Sequence, residues 1–338
     1  MSESSAGGDD AGPTASPVER YDDGVLALDT LTGGMRTVTA GFLLTAPRPA
    51  LIECGPARSI GNVIAGLRTL GFDPDDLAYV VVTHIHLDHA GGAGDLARAF
   101  PNATIVVSEV GAPHLHEPQR LNDSSKRVYG PLYDTVYGAC TPIEADRMLA
   151  VTDGDVIDLG GGRELELLYT PGHAKHHVGV YDTDTGAVFS GDSVGVKLPG
   201  MTHIRPATPP ADFHLEAALA SLGRYREREP SRVYLAHYGP VDPPDEALHE
   251  AEERLRLWAA TAESAYRDAI AGGPTGTELD HVAETLQHRF ASELAFTDLD
   301  EDPDAERRIE LLSGYTSNAA GLVRYFRRRD EGTLTPIG

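Results

Sequence analysis

Thr83-His84-Ile85-His86-Leu87-Asp88-His89 decides how this chain is read: three imidazoles and a carboxylate fall within six positions, directly after the apolar run Ala78-Tyr79-Val80-Val81-Val82. A run rich in β-branched residues reads as a buried strand, and its end opens as a loop. There His84 and His86 can point the same way, while Asp88 and His89 can turn to a second ion. Neutral imidazole and carboxylate suit zinc, iron or manganese, and the lack of thiolates argues against a closed structural zinc site. Followed by Gly91-Gly92, the motif reads as an open, catalytic metal site rather than a patch of surface histidines.

Four donors in one loop cannot complete two coordination spheres, so later strands should end in more of them. Residues 165–169 read as a strand running into Thr170-Pro171-Gly172-His173, where the Pro-Gly turn sets His173 just beyond the strand. Residues 187–190 run into Gly191-Asp192-Ser193, and residues 233–236 into His237-Tyr238-Gly239-Pro240. Each strand thus delivers one candidate: His173, Asp192 and His237. At least one of His176 and His177 is expected beside the ligands or the substrate, and Lys175 reads as solvated. Tyr238 is a candidate hydrogen-bond donor to a developing oxyanion. Cys54, beside Gly55 at a strand end, reads as a buried small hydrophobe rather than a nucleophile. His114 and His116 fit neither pattern and read as surface histidines.

The ordered set His84, His86, Asp88, His89, His173, Asp192 and His237 resembles the metallo-β-lactamase superfamily, in its binuclear hydrolase branch with a glyoxalase II-like ligand set. The resemblance covers roughly residues 21–241. It implies an α/β fold, the four-layer αββα sandwich, with the ligands along the edge between the sheets. It implies two divalent metal ions, zinc first, with iron or manganese as alternatives. His84, His86 and His173 would hold one ion and Asp88, His89 and His237 the other, with Asp192 bridging. Leu51-Ile52-Glu53-Cys54-Gly55 is similar to the family's early strand motif, with Glu53 standing where the family usually has Asp; this implies for Glu53 a supporting contact to a ligand histidine. Divalent ions lower the pKa of bound water from about 15.7 toward 7, so two ions sharing one oxygen give a bridging hydroxide as nucleophile. Asp88 or Asp192 would orient it or accept its proton. The activity so implied is hydrolysis of an ester or thioester, of the hydroxyacylglutathione type, with a lactonase or β-lactamase-like hydrolase as the alternative. An iron-dependent oxidoreductase or persulfide dioxygenase is the alternative from another class, since the same His and carboxylate set can hold iron; the full second ligand set counts against the dioxygenase, which needs one iron.

Composition sets the frame. A chain of 338 residues with 41% hydrophobic content can bury a large core, and its length fits two units. They are expected at 18–241, catalytic, and 242–338, a helical C-terminal extension, after a disordered tail at 1–17. That tail lacks both a basic start and an apolar core, so it reads as neither signal peptide nor anchor. Cys54 and Cys140 supply no disulfide framework, which fits a reducing cytoplasm. The net charge of -24 comes from 52 acidic against 28 basic residues, of which only Lys126, Lys175 and Lys197 are lysines. This reads as a salt-adapted, halophilic surface, and it opposes binding to nucleic acid. The expected partner is a small-molecule substrate, with no membrane.

Strands are expected at 24–29, 36–45, 49–54 and 103–108, helices at 58–70 and 91–100, and a loop or short helix at 108–116. The alternation is that of a mixed α/β fold. Residues 121–147 read as an insertion on the substrate side, where Tyr129, Tyr133 and Tyr137, four residues apart, form the half-buried stripe of a helix. Thr208-Pro209-Pro210 with Asp212 reads as the start of an amphipathic helix at 213–226. Beyond Pro243-Pro244 only helices are expected, at 246–271, 277–290 and 305–328, shaping the pocket or forming a homodimer.

Overall fold

The computed structural model describes residues 14–210, 212–272, 278–294, 304–335 and 337. Its first sheet has seven strands in chain order: β1 (Val18–Arg20), β2 (Leu26–Asp29), β3 (Ala40–Leu44), β4 (Ala50–Ile52), β5 (Tyr79–Val81), β6 (Thr104–Ser108) and β7 (Met148–Val151). The first four pair antiparallel and β4 to β7 run parallel. Parallel neighbours need crossovers. These are filled by α1 (Ile60–Thr69), then α2 (Leu87–Ala90) with α3 (Ala93–Ala99), then α4 (Ala112–His116) with α5 (Gln119–Tyr129).

The second sheet has six strands, β8 (Val156–Gly160), β9 (Arg163–Tyr169), β10 (Val178–Asp182), β11 (Ala187–Phe189), β12 (Arg232–Leu235) and β13 (Gly239–Val241), ordered β13-β12-β11-β10-β9-β8. Only β11 and β12 are parallel, and α6 (Leu215–Glu227) crosses between them. Side chains alternate as a two-residue period requires. Val81, Val106, Phe42, Phe189 and Tyr234 fill the seam between the sheets. Val80 and Val82 face outward onto Val63 and Leu67 of α1 and Leu96 of α3. On the far side, Val188, Val233 and Leu235 pack on Leu222 and Tyr225 of α6. The result is the αββα sandwich.

Four helices follow: α7 (Pro244–Gly272), α8 (Glu278–Phe290), α9 (Ala305–Ser313) and α10 (Tyr315–Asp330). One apolar cluster runs from the outer face of the second sheet through α6 into α7, α8 and α10, so the sheet and the helical region share a core. Trp258 anchors it, stacked 4.7 Å from Phe290 and 5.8 Å from Tyr315.

Several local expectations change. The single helix expected at 305–328 breaks at Gly314, whose backbone is extended (φ -61°, ψ 151°). A Cβ there would lie 2.5 Å from Glu310 Oε1. Thr208-Pro209-Pro210 does not begin a helix: α6 starts at Leu215, with the His214 side chain accepting from the Ala217 N–H. The tyrosine stripe is split, with Tyr129 ending α5 and Tyr133 and Tyr137 on a π-helical turn. Of the tail expected at 1–17, residues 1–13 lie outside the described residues, while Ser16 is buried and donates its backbone N–H to Asn62. Among the described residues no helix is long and apolar enough to cross a membrane.

Candidate metal centre

The carboxyl ends of β5, β9, β11 and β12 meet at one edge of the sandwich, and each delivers a donor there: His84, His173, Asp192 and His237. His86 caps α2, and that single helical turn swings Asp88 and His89 to the opposite side of His84. Donor atoms of His84, His86, His173 and Asp192 lie within 4.8 Å of one another, and so do those of Asp88, His89 and His237. Asp192 stands between the sets. Its Oδ1 is 3.3 Å from His89 Nε2 and 3.2 Å from His237 Nε2, while its Oδ2 is 3.4 Å from His173 Nε2 and 4.0 Å from His84 Nε2.

Hydrogen bonds behind each ring fix which nitrogen is bare. His237 Nδ1 donates to the Val38 carbonyl at 2.7 Å, and His173 Nδ1 donates to the Ala207 carbonyl at 3.0 Å, because a carbonyl can only accept. Thr83 Oγ1 donates to Glu53 and so accepts from His84 Nδ1 at 3.0 Å. Glu53 Oε1 also lies 3.2 Å from His89 Nδ1. Glu53 is buried and holds a left-handed backbone (φ 65°), a costly conformation for a residue with a side chain. At His84, His173 and His237 the Nε2 is thereby turned inward.

Those inward nitrogens test whether metal ions fit. His84 Nε2 and His173 Nε2 each sit 3.0 Å from His86 Nδ1, and one proton on His86 cannot serve both. His89 Nε2 and His237 Nε2 face each other at 3.2 Å with carboxylate oxygens beside them, and Asp192 Oδ1, buried, receives no hydrogen bond. Opposed acceptors packed this closely call for a cation among them, and the imidazole and carboxylate donors suit a divalent metal. The charges point the same way, since the carboxylates favour a positive charge among these nitrogens. Burial would lower His237, yet Asp192 and Asp88 carry it up to about 9. At Asp88 burial opposes ionisation, and His89 and His237 outweigh it, holding the carboxyl down at about 2. On the other side burial and the neighbouring His173 push His86 down to about 3.

His176 and His177 are both buried behind these rings. His177 Nε2 accepts the Asp192 backbone N–H at 3.3 Å, and His176 Nδ1 accepts the Ile85 N–H at 3.4 Å, so they brace the donor loops. Cys54 and Cys140 are free and buried, and burial raises both thiols, Cys140 to about 12, which fits an inert role. His116 Nδ1 caps the Ile143 carbonyl at 2.9 Å.

The tyrosines are arranged differently from the expectation. Tyr238 is half-buried, and after burial the charges acting most on its hydroxyl are those of Asp29 and Glu19. Tyr129 and Tyr137 are both under the influence of Asp88 and Asp192, which add to burial in raising their hydroxyls. The Tyr129 ring lies 4.3 Å from that of Tyr137, in a cluster with Leu87 of the histidine loop and Leu311 of α9. Sequence spacing marked Tyr129 as a stripe residue; only the fold brings it toward the carboxylates.

A family model described as the metallo-beta-lactamase superfamily matches residues 34–237. A metallo-beta-lactamase fold-containing protein of Sulfurisphaera tokodaii is 36% identical over 186 residues, covering 54% of this chain and 67% of that protein. Its crystal structure superposes with a TM-score of 0.56, covering 73% of this chain and 84% of that one at 28% identity. An N-acyl homoserine lactonase of Bacillus thuringiensis is 26% identical over 183 residues, 52% of this chain and 62% of that protein. A metallo-beta-lactamase family protein from Thermus thermophilus, 21% identical, shares the fold along 96% of this chain and 94% of its own, with a TM-score of 0.59.

Proposed function

This chain belongs to the metallo-beta-lactamase superfamily, and from that premise we propose that it hydrolyses an ester or thioester at a two-metal centre held by His84, His86, His173, Asp88, His89 and His237 with Asp192 between the ions. The observation that carries this reading is the position of Asp192, one oxygen turned to each nitrogen set. When bound, two divalent ions, zinc first, would supply an activated water and polarise the scissile carbonyl. Asp88, kept ionised, orients the attacking water and takes its proton. Tyr129, kept protonated, donates to the oxygen on which charge develops. Leu87, Tyr137 and Leu311 pack around the Tyr129 ring and hold it in place. A lactone is the second reading, favoured by the lactonase relative.

The deciding experiment is elemental analysis of protein purified without added metal, followed by assays on p-nitrophenyl esters, acyl thioesters and γ-lactones. The acidic surface is part of the proposal as a salt adaptation in a cytoplasmic setting, so these assays run in about 2 M KCl, where screening relieves self-repulsion. Two zinc ions per chain with hydrolysis support the reading; one iron per chain with oxygen consumption and no hydrolysis overturns it. Tyr129→Phe should lower kcat about tenfold to a hundredfold with metal content unchanged, since one donor to the developing charge is lost. Full activity in that variant would remove Tyr129 from the mechanism. A homodimer through the helical region is also proposed, and light scattering tests it.

A further inference from the structure

His173 differs from the other candidate ligands in what holds it. Glu53, Thr83 and Val38, which support His89, His84 and His237, all belong to the first sheet and its loops. His173 leans on the Ala207 carbonyl, and the residues on either side of Ala207 are clamped by the helical region. Thr208 N–H donates to Asn318 Oδ1 at 2.8 Å, and the Thr208 hydroxyl reaches the same oxygen at 2.7 Å. Asn318 Nδ2 donates to the Ser313 carbonyl and hydroxyl at 3.1 and 2.8 Å, and the Ser313 hydroxyl donates to the Pro206 carbonyl at 2.7 Å. Thr208, Ser313 and Asn318 are all buried. Gly321, one turn further along α10, lets the chain approach: a Cβ there would lie 2.0 Å from the Thr208 carbonyl oxygen.

Asn318 spends both lone pairs of its carbonyl oxygen on Thr208 and both N–H groups on Ser313, so no alternative rotamer satisfies it. Resting on the reading of His173 as a ligand, we propose that Asn318 and Ser313 are positioning residues of the metal centre, through which the α9–α10 junction fixes residues 206–208 and so aims His173 Nε2. The helical region then has a specific task at the site. Removing a partner one bond behind a metal ligand changes metal affinity by about 10- to 100-fold; Asn318 acts one link further back, through Thr208 and Ala207, so an effect at the low end of that range is expected.

The test uses the full-length protein loaded with cobalt(II), whose visible spectrum reports ligand geometry, together with chelator competition for affinity. Asn318→Ala should weaken cobalt binding by about tenfold and shift the spectrum, and Ser313→Ala should shift both in the same direction by less. Leu286→Ala, a fully buried truncation in α8 that removes none of these hydrogen bonds, should lower the unfolding temperature and leave spectrum and affinity unchanged. Wild-type affinity and spectrum in both Asn318→Ala and Ser313→Ala overturn the inference while leaving the metal reading standing. The same result follows if Leu286→Ala shifts the spectrum as far as they do, because general loosening would then explain it. A wild-type chain that takes up no cobalt overturns the ligand reading and this inference with it. If Asn318→Ala fails to fold, Ser313→Ala, which removes a single hydroxyl, decides alone.

Discussion

Replacing Asp192 by asparagine is expected to remove metal from the site and to lower hydrolysis by about a thousandfold or more, a loss of roughly 4 kcal/mol in transition-state stabilisation. The substitution keeps the size of the side chain and removes one negative charge. That charge sits between two sets of inward lone pairs, within 3.4 Å of imidazole nitrogens of His89, His173 and His237. An amide can place its N–H against one imidazole, but it cannot balance two divalent ions a few ångströms apart. The fold should survive, because the Asp192 backbone is held independently by His177 Nε2. Metal stoichiometry, kcat/KM and far-UV dichroism on the same preparation separate the outcomes. Two ions retained with activity within tenfold of wild type would sink the bridging role of Asp192.

Much of this site was legible because its donors are local or follow a rule. His84 to His89 form one motif, and the expectation that strands end in ligands located His173, Asp192 and His237, which the fold brings to one edge. Glu53 was flagged through the resemblance of Leu51-Ile52-Glu53-Cys54-Gly55 to the family's early strand motif, and it lies beside His89. The carbonyls of Val38 and Ala207 were not legible, since any residue supplies a backbone acceptor and nothing in the sequence marks which one faces a ring. Asn318 stands 110 residues from Thr208, and no periodicity links them. Tyr129 was visible only as spacing. β7 was missed because Met148, Leu149 and Ala150 are only partly covered at the edge of their sheet, which erases the alternation that marks a half-buried strand. The helix break at 314 did carry a signal, a glycine followed by the strand-favouring Tyr315 and Thr316, but the surrounding helical pattern on both sides masked it.

The turn that sets His173 makes a sharper case, because the same substitution at two glycines touching one helix should act with opposite sign. Gly172 has φ +135°, and a Cβ there would lie 2.3 Å from both the backbone N and the Cα of Ala218 in α6. Neither partner can retreat easily: the Gly172 carbonyl accepts from His214 N–H at 2.8 Å, and the Pro171 carbonyl accepts from the Ser221 hydroxyl at 2.7 Å. Gly172→Ala therefore combines a disfavoured backbone angle with overpacking, about 3–5 kcal/mol together. For a chain of 338 residues a drop in Tm of about 4–7 °C is expected, and since any relief moves the turn, metal occupancy should fall as well. Gly223 lies inside the same helix with nothing within 4 Å of its Cβ direction. Gly223→Ala should raise stability by about 0.5–1 kcal/mol through helix propensity alone, with metal content unchanged. Calorimetry on the pair checks both signs. A Gly172→Ala protein with wild-type Tm and full metal would mean that the contact between turn and helix does not govern the aim of His173. The control through Gly223 ensures that a loss at Gly172 reflects that contact rather than intolerance of alanine on this helix.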